Sequence, residues 1–287
     1  MKVSELGELG LFAELERRGL ARRIENDAAQ LDDGLIVTQD ALVEGVHFRL
    51  DWISWRDLGF RAAAVNLSDL AASGATAEGL VVSLAVPGAT GVEDVLALYE
   101  GIADTGVDVI GGDTNEADRT YLSVTALGRS ERVPGRAGAR PGDLLVVTGS
   151  LGAAGAAFRQ GRYVRPPIRL EDGRRLAGHA HAMLDLSDGL AVDARRIAAR
   201  SGCRLVVELE RVPLAEGATI DDLGFGEDYE LLAAVSGTEA LQTGFPPRAV
   251  SDTGSFSVIG RCEEGEGLDL LLDGRPHELP GFIHFAG

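Results

Sequence analysis

Three consecutive segments decide the fold class: Gly79-Leu80-Val81-Val82-Ser83-Leu84-Ala85-Val86, then Val92 to Thr105, then Val107-Asp108-Val109-Ile110-Gly111-Gly112-Asp113. The first alternates and is rich in β-branched residues, which predicts a strand. The second repeats apolar residues at helical spacing. The third is a short β run that the pattern ends at Gly111-Gly112-Asp113. Strand, helix and strand in this order argue for an α/β arrangement. Working outward, Leu35-Ile36-Val37-Thr38 predicts a strand that stops at Asp40. Ser54 caps a helix over Trp55 to Ala72, and Tyr121 to Leu127 alternates as a further strand. Residues 1–20 predict a helix. From Ser130 to Asp143 the composition shifts to Arg, Gly and Pro, which marks a domain boundary. Beyond it, Leu144 to Thr148 and Ala182 to Leu186 predict strands, Gly149-Ser150-Leu151-Gly152 opens an alanine-rich helix, and Asp188 to Ser201 predicts another helix. Leu205 to Leu209, Tyr229 to Val235, Phe256 to Ile259 and Leu268 to Leu272 complete the strands. The expectation is an α/β protein with mixed α+β sheets in two domains, residues 1–133 and 134–287.

The 287 residues suffice to bury roughly 75% of the unfolded surface without staples. With 45 acidic residues against 27 basic ones, the net charge of −18 argues against nucleic-acid binding through a general basic face. Lys2 is the only lysine, which removes a phosphate loop ending in Gly-Lys-Ser/Thr, an internal Schiff-base lysine and a protein-kinase lysine. Cys203 and Cys262 make neither a disulfide framework nor a thiolate zinc site. The opening Met1-Lys2-Val3-Ser4-Glu5 lacks the apolar core of a signal peptide. The uncharged stretch Gly79 to Val92 is too short for a membrane span and contains Pro87. A cytoplasmic protein with no membrane partner is expected.

The informative residues are aspartates at the ends of these segments: Asp27, Asp40, Asp69, Asp113, Asp185 and Asp188. Several sit in apolar sequence, where an unpaired charge is costly. Carboxylates packed together without a cation repel and raise one another's pKa. Hard oxygen ligands in number suit Mg²⁺ or Ca²⁺ rather than zinc. Each aspartate taken alone reads first as a helix cap or turn residue. Convergence in space decides between the two readings. His47 is open between a satisfied core histidine and a ligand, and Glu227 between an acidic turn and a contact residue. Phe285 is open between a tail anchor and a stacking ring, while Trp52 and Trp55 read as helix-docking residues.

In order along the chain, the motifs resemble those of the thiamine-monophosphate kinase family, in the superfamily of aminoimidazole-ribonucleotide and selenophosphate synthetases. They are Ser4-Glu5-Leu6-Gly7-Glu8, Asp27-Ala28-Ala29, Thr38-Gln39-Asp40 with Gly45-Val46-His47-Phe48, Ala64 to Ala72 around Asn66-Leu67-Ser68-Asp69, and Ile110-Gly111-Gly112-Asp113-Thr114. Arg136 before Gly138-Ala139-Arg140-Pro141-Gly142-Asp143, Val147-Thr148-Gly149, Arg165-Pro166, Asp185-Leu186-Ser187-Asp188-Gly189, Gly226-Glu227-Asp228-Tyr229-Glu230 and His284-Phe285 follow. The resemblance implies a homodimer joined through the N-terminal sheets. The N-terminal domain binds ATP and metal, and the C-terminal domain completes the site. It implies ATP-dependent phosphorylation of thiamine monophosphate to thiamine diphosphate by direct in-line transfer of the γ-phosphoryl group, assisted by several Mg²⁺ ions. By position, Asp27, Asp40, Asp69, Asp113, Asp185 and Asp188 match metal-binding aspartates, and Thr38 and Gln39 fall where the family has hydroxyl ligands. Gly112, Asp113, Arg136 and Ser187 match nucleotide contacts. His47, Glu227 and Phe285 match contacts to the thiamine phosphate.

Three departures stand out: Glu25-Asn26-Asp27 replaces Gly-Asp-Asp, Gln39 replaces a hydroxyl residue, and Gly161 to Arg169 is short and is expected to be a trimmed surface loop. Sister enzymes fit less well. There is no cysteine in the N-terminal third, no modifiable C-terminal cysteine, and no lysine for a Gly-rich loop. The alternatives are a non-catalytic nucleotide-binding homodimer, or a related ATP-dependent enzyme with another phosphorylated acceptor.

Overall fold

Ser54 begins the helix on which the rest is assembled. Its hydroxyl accepts the Asp57 N–H at 3.1 Å, satisfying a first-turn donor, and helix α2 runs from Trp55–Ala72. Its apolar residues occupy every face, so it is buried almost all round. The computed structural model describes residues 2–22, 26–237 and 256–281. Preceding α2 are α1 (Val3–Arg17), in which Gly7 at φ 71° breaks the helix, and strands β1 (Ala29–Gln30) and β2 (Leu35–Val43). After α2 come β3 (Thr76–Val86), α3 (Val92–Ala103), β4 (Val109–Glu116) and β5 (Tyr121–Arg129).

These strands form a five-stranded sheet in the order β1-β2-β5-β3-β4. β3 and β4 are parallel and joined by α3, as the opening stretch of sequence requires. Ile36, Leu80, Val82, Leu84, Leu122 and Val124 pack with Leu58, Leu67, Leu98 and Ile102 of α2 and α3 in one core. The alternation of the strands sends the remaining residues to a face that, among the described residues, carries no helix. Two strands extend further than the sequence indicates. β2 continues through Val43 because its pairing with β5 runs unbroken from Leu35↔Arg129 to Val43↔Tyr121, so Asp40 lies inside it. β4 pairs with β3 as far as Val86↔Glu116, so Gly111-Gly112-Asp113 is mid-strand. A Cβ on Gly112 would stand 1.9 Å from the Val82 carbonyl oxygen, so the glycine serves the close approach of β3.

The rest of the chain supplies β6 (Asp143–Thr148), α4 (Ala153–Arg159), α5 (Leu170–Ala177), β7 (Ala180–Asp185), α6 (Leu190–Ser201), β8 (Arg204–Glu208), β9 (Leu231–Ser236), β10 (Phe256–Glu263), β11 (Gly267–Leu272) and β12 (Arg275–Pro276). They build a seven-stranded sheet, β12-β11-β8-β10-β6-β9-β7, whose only parallel pair among the described residues is β8 with β11. Cys203 and Cys262 are both buried in its core with α6. Ala71 and Ala72 at the end of α2 pack against Leu176, Met183, Leu231 and Phe256, so this helix joins the two halves. The segment from Gly161 to Arg169 is pinned rather than loose. Arg165 reaches Asp57 at 2.6 Å and Asp104 at 3.0 Å, and Arg169 reaches Glu230 at 2.6 Å. Among the described residues no helix is long and apolar enough to cross a membrane.

Candidate active site

Where α2 meets both sheets there is a cleft of about 1510 Å³. Asp27 enters it just before β1, Asp69 from the last turn of α2, and Asp185 from the end of β7. One carboxylate oxygen of each lies within 4.8 Å of the others. Three separate segments from both halves of the chain therefore converge, which a set of independent turn residues would not do. Thr38 of β2 donates its hydroxyl to Asp69, and Ser68 donates to Asp185 at 2.6 Å. Arg136 places Nε 3.0 Å and Nη2 2.5 Å from the Asp27 carboxylate. Asn26, the departure from the family pattern, accepts the Arg136 backbone N–H at 3.0 Å and so positions that arginine.

The electrostatics follow from this crowding. Burial, then repulsion from Asp185, Asp40 and Asp27, pushes the Asp69 carboxyl well above the usual carboxylate range. Burial and then Asp27 do the same to Asp185. Asp27 is raised by burial, against which Arg136 pulls. The donor set fits a hard divalent cation: mutually repelling carboxylates with hydroxyl oxygens beside them and the Arg136 guanidinium at one edge.

Asp40 shares the Asp69 side of β2. Its backbone N–H is held by the buried Asn66 at 2.9 Å. Gln39 alternates to the opposite face, where Nε2 donates to Ser123 at 3.0 Å and Oε1 accepts from Thr125 at 3.2 Å. Asp113 is not brought to the cluster within one chain. It lies on the exposed strand β4, accepting from Asn115 at 2.6 Å, with Gly112 beside it. Asp188 is engaged by Arg196, whose other arm binds the fully buried Asp193 at 2.6 Å. Ser187 lines the cleft, and its carbonyl accepts the Glu227 N–H at 2.8 Å.

His47 and Glu227 are joined by a residue the sequence reading passes over. The buried Arg61 of α2 donates to the His47 carbonyl at 2.8 Å and to Glu227 at 2.6 Å. His47 Nδ1 accepts the Val43 N–H at 3.1 Å, which assigns the ring proton of the neutral form to Nε2. Burial raises the Glu227 carboxyl and Arg61 opposes the rise. A single arginine inside Phe60-Arg61-Ala62-Ala63-Ala64-Val65 is the available signal, since a charge in an apolar helix needs a buried partner. Trp55 packs on the N-terminal core as expected of a docking residue, whereas Trp52 lines the cleft. Phe285 lies outside the described residues.

Residues 25–130 match AIR synthase related protein, N-terminal domain, and residues 140–273 match AIR synthase related protein, C-terminal domain. A thiamine-monophosphate kinase from Aquifex aeolicus is 31% identical over 99% of this chain and 100% of its own length. One from Halobacterium salinarum is 35% identical over 93% of this chain and 96% of its own. The solved structure of AaThiL complexed with AMPPCP and TMP superposes with a TM-score of 0.86 at 30% identity, covering 99% of each chain. A hydrogenase maturation protein HypE in complex with ATP shares the fold, with a TM-score of 0.70 at 21% identity over 96% of this chain and 92% of its own. With converging carboxylates, two matched domains and full-length relatives, the chain belongs to the thiamine-monophosphate kinase family of AIR synthase related proteins.

Proposed function

We propose that this protein transfers the γ-phosphoryl group of ATP to thiamine monophosphate, giving thiamine diphosphate. The observation that carries the reading is the meeting of Asp27, Asp69 and Asp185 in one cleft between the two halves. Its family relatives are thiamine-monophosphate kinases, and the related AaThiL structure holds AMPPCP and TMP. A phosphate monoester has a second pKa of about 6, so the acceptor is already anionic near neutral pH and needs no general base. The barrier is the approach of two polyanions, so neutralisation and in-line alignment supply most of the rate.

Asp27, Asp69, Asp185 and Asp40, with Thr38 beside them, are the groups we assign to hold Mg²⁺, with Asp188 as a further ligand once Arg196 releases it. Magnesium bound there would neutralise phosphate charge. Arg136 adds a guanidinium to the nucleotide phosphates and Ser187 a hydroxyl. His47 and Glu227, fixed to each other through Arg61, hold the acceptor, with Phe285 as a third contact. We set the domain division at residues 133/134 and the location in the cytoplasm, with no nucleic-acid partner.

Asp113 and Gly112 enter this scheme from a second copy. β5 and β3 separate β2 from β4, which puts about 14 Å between them along the sheet. Asp113 pairs with Ser83 and so faces the helix-free side, away from Asp40 and Asp69. β4 is an edge strand, exposed along its whole length, with Ile110 at 58% exposure. Such an edge is a template for another chain. β1 pairs with β2 only at Ile36 and Val37, so a second copy's β4 laid along the β2 edge beyond them brings its Asp113 beside Asp40 at the rim of the cleft.

Incubation with Mg-ATP and thiamine monophosphate tests the reaction. Stoichiometric ADP and thiamine diphosphate are expected. ADP formed equally without thiamine monophosphate would point to another acceptor, and nucleotide binding without product to a binding protein.

A further inference from the structure

The far wall of the cleft is aromatic. Trp52 and Phe158 have ring centroids 5.5 Å apart, and Phe158 and Phe225 4.9 Å apart. All three line the cleft, yet Trp52 is 44% and Phe158 49% exposed, unusual for large rings that could have joined a core. They come from three places: the turn before α2, the end of α4, and the loop that carries Glu227. The last of these is pressed against the Ser187–Asp188 turn, since a Cβ on Gly226 would stand 2.4 Å from the Ser187 carbonyl oxygen. The rings therefore continue outward from the carboxylate cluster through Ser187, Glu227 and Phe225 to Phe158 and Trp52. Behind Trp52, the Arg49 guanidinium lies 5.0 Å from its ring centroid.

From this arrangement we infer that Trp52, Phe158 and Phe225 form a subsite for the heteroaromatic, cationic end of the acceptor, and so set acceptor specificity. The inference rests on the proposed phosphotransfer reading. A polyanion-binding pocket alone has no use for three adjoining, mutually tilted rings. A flat cationic ring system gains from their π faces and from the nearby Glu227 carboxylate, while its phosphate is held at the other end by the metal-binding cluster. Rings on both halves of the chain make recognition of the acceptor depend on the two halves being correctly set against each other.

Product formation by the wild-type protein tests the parent reading by itself. Given product, Trp52→Ala and Phe158→Ala each raise KM for thiamine monophosphate about tenfold, equivalent to about 1.4 kcal/mol, with KM for ATP changed by less than about twofold. Trp52→Phe restores most of the loss. A second readout does not depend on turnover. The sequence has 2 tryptophans, so in Trp55→Phe protein Trp52 is the sole reporter. Its fluorescence is quenched saturably by thiamine monophosphate without ATP, and not by inorganic phosphate. An unchanged KM for thiamine monophosphate, a rise confined to the KM for ATP, or the absence of quenching overturns the subsite. Absence of product with quenching intact overturns the phosphotransfer reading and leaves the subsite standing.

Discussion

On the proposed reading, Asp185 carries both the chemistry and an instability. Its pKa in the folded chain is raised by burial and by Asp27, so the charged form opposes folding in the absence of a metal. Asp185→Asn keeps an acceptor for the Ser68 hydroxyl and removes the charge. Turnover is expected to fall by at least about 10²–10³-fold, as when preorganised charge stabilisation is deleted. In EDTA at pH 8, the variant's Tm should lie above that of the wild type, and added Mg²⁺ should raise the wild-type Tm far more. A variant that melts below the wild type in EDTA would refute the repulsion. Asp228 allows a separate test outside the carboxylate cluster. It is buried, accepts the Gly152 N–H at 2.8 Å, and its pKa is raised by burial to about 7. A raised carboxyl contributes stability that is complete below its unfolded value of about 4. That stability is lost as pH climbs toward 7, by up to about 1.4 kcal/mol per pH unit. Asp228→Asn, which can still accept that N–H, should therefore gain on the wild type in denaturant melts between pH 5 and pH 7. A constant difference across that range would refute it. The spacing of the aspartates made these residues suspects, but only the tertiary fold could separate them. Asp27, Asp69 and Asp185 meet, Asp228 caps a neighbouring helix, and Arg61 was hidden because its partners lie far away in sequence.

Among the elements, α2 and α3 approach backbone to backbone. A Cβ on Gly59 would stand 1.9 Å from the Leu98 carbonyl oxygen, and one on Gly101 1.8 Å from that of Arg56. Gly59→Ala must push the helices apart beneath the five-stranded sheet, at an expected cost of about 1–3 kcal/mol in chemical denaturation. Gly178→Ala is the contrast. Its φ of −58° is ordinary, and its nearest neighbour would be 3.5 Å away, so it should be neutral or stabilising by up to about 1 kcal/mol. Equal losses in both would mean that close helix approach is not what the glycine at 59 serves. The helix α2 was legible to the residue, because Ser54 caps it and an apolar run fills it. Strand ends were less legible. Asp40 and Gly111-Gly112-Asp113 look like strand ends by composition, and nothing local shows that β5 and β3 supply pairing partners through them. That difference matters for the site, because alternation within a strand, unlike a loop, puts Gln39 and Asp40 on opposite faces.

For the whole molecule, this alternation means that, on the proposed reading, one chain holds an incomplete site. Asp113 and Asp69 lie on opposite sides of the same sheet, so a second copy must supply one of them if both act on the same phosphates. Asp113→Asn and Asp69→Asn should each abolish turnover as separate homodimers. Mixed and allowed to exchange subunits, the two inactive proteins should recover activity. In a heterodimer, one site takes Asp69 from one chain and Asp113 from the other, both unmutated, while the second site carries both substitutions. Random pairing makes half the dimers heterodimers with one good site in two, so recovery should plateau at about a quarter of wild-type activity. If each chain used its own Asp113, every site in the mixture would carry one substitution and activity would stay at the level of the parents. Substituting the exposed apolar residue Ile110 by Asp on β4 places a charge on the proposed contact strand. In otherwise wild-type protein it should lower the sedimentation coefficient to that of a monomer and remove turnover together. An active monomer would show that β4 of a second copy is dispensable.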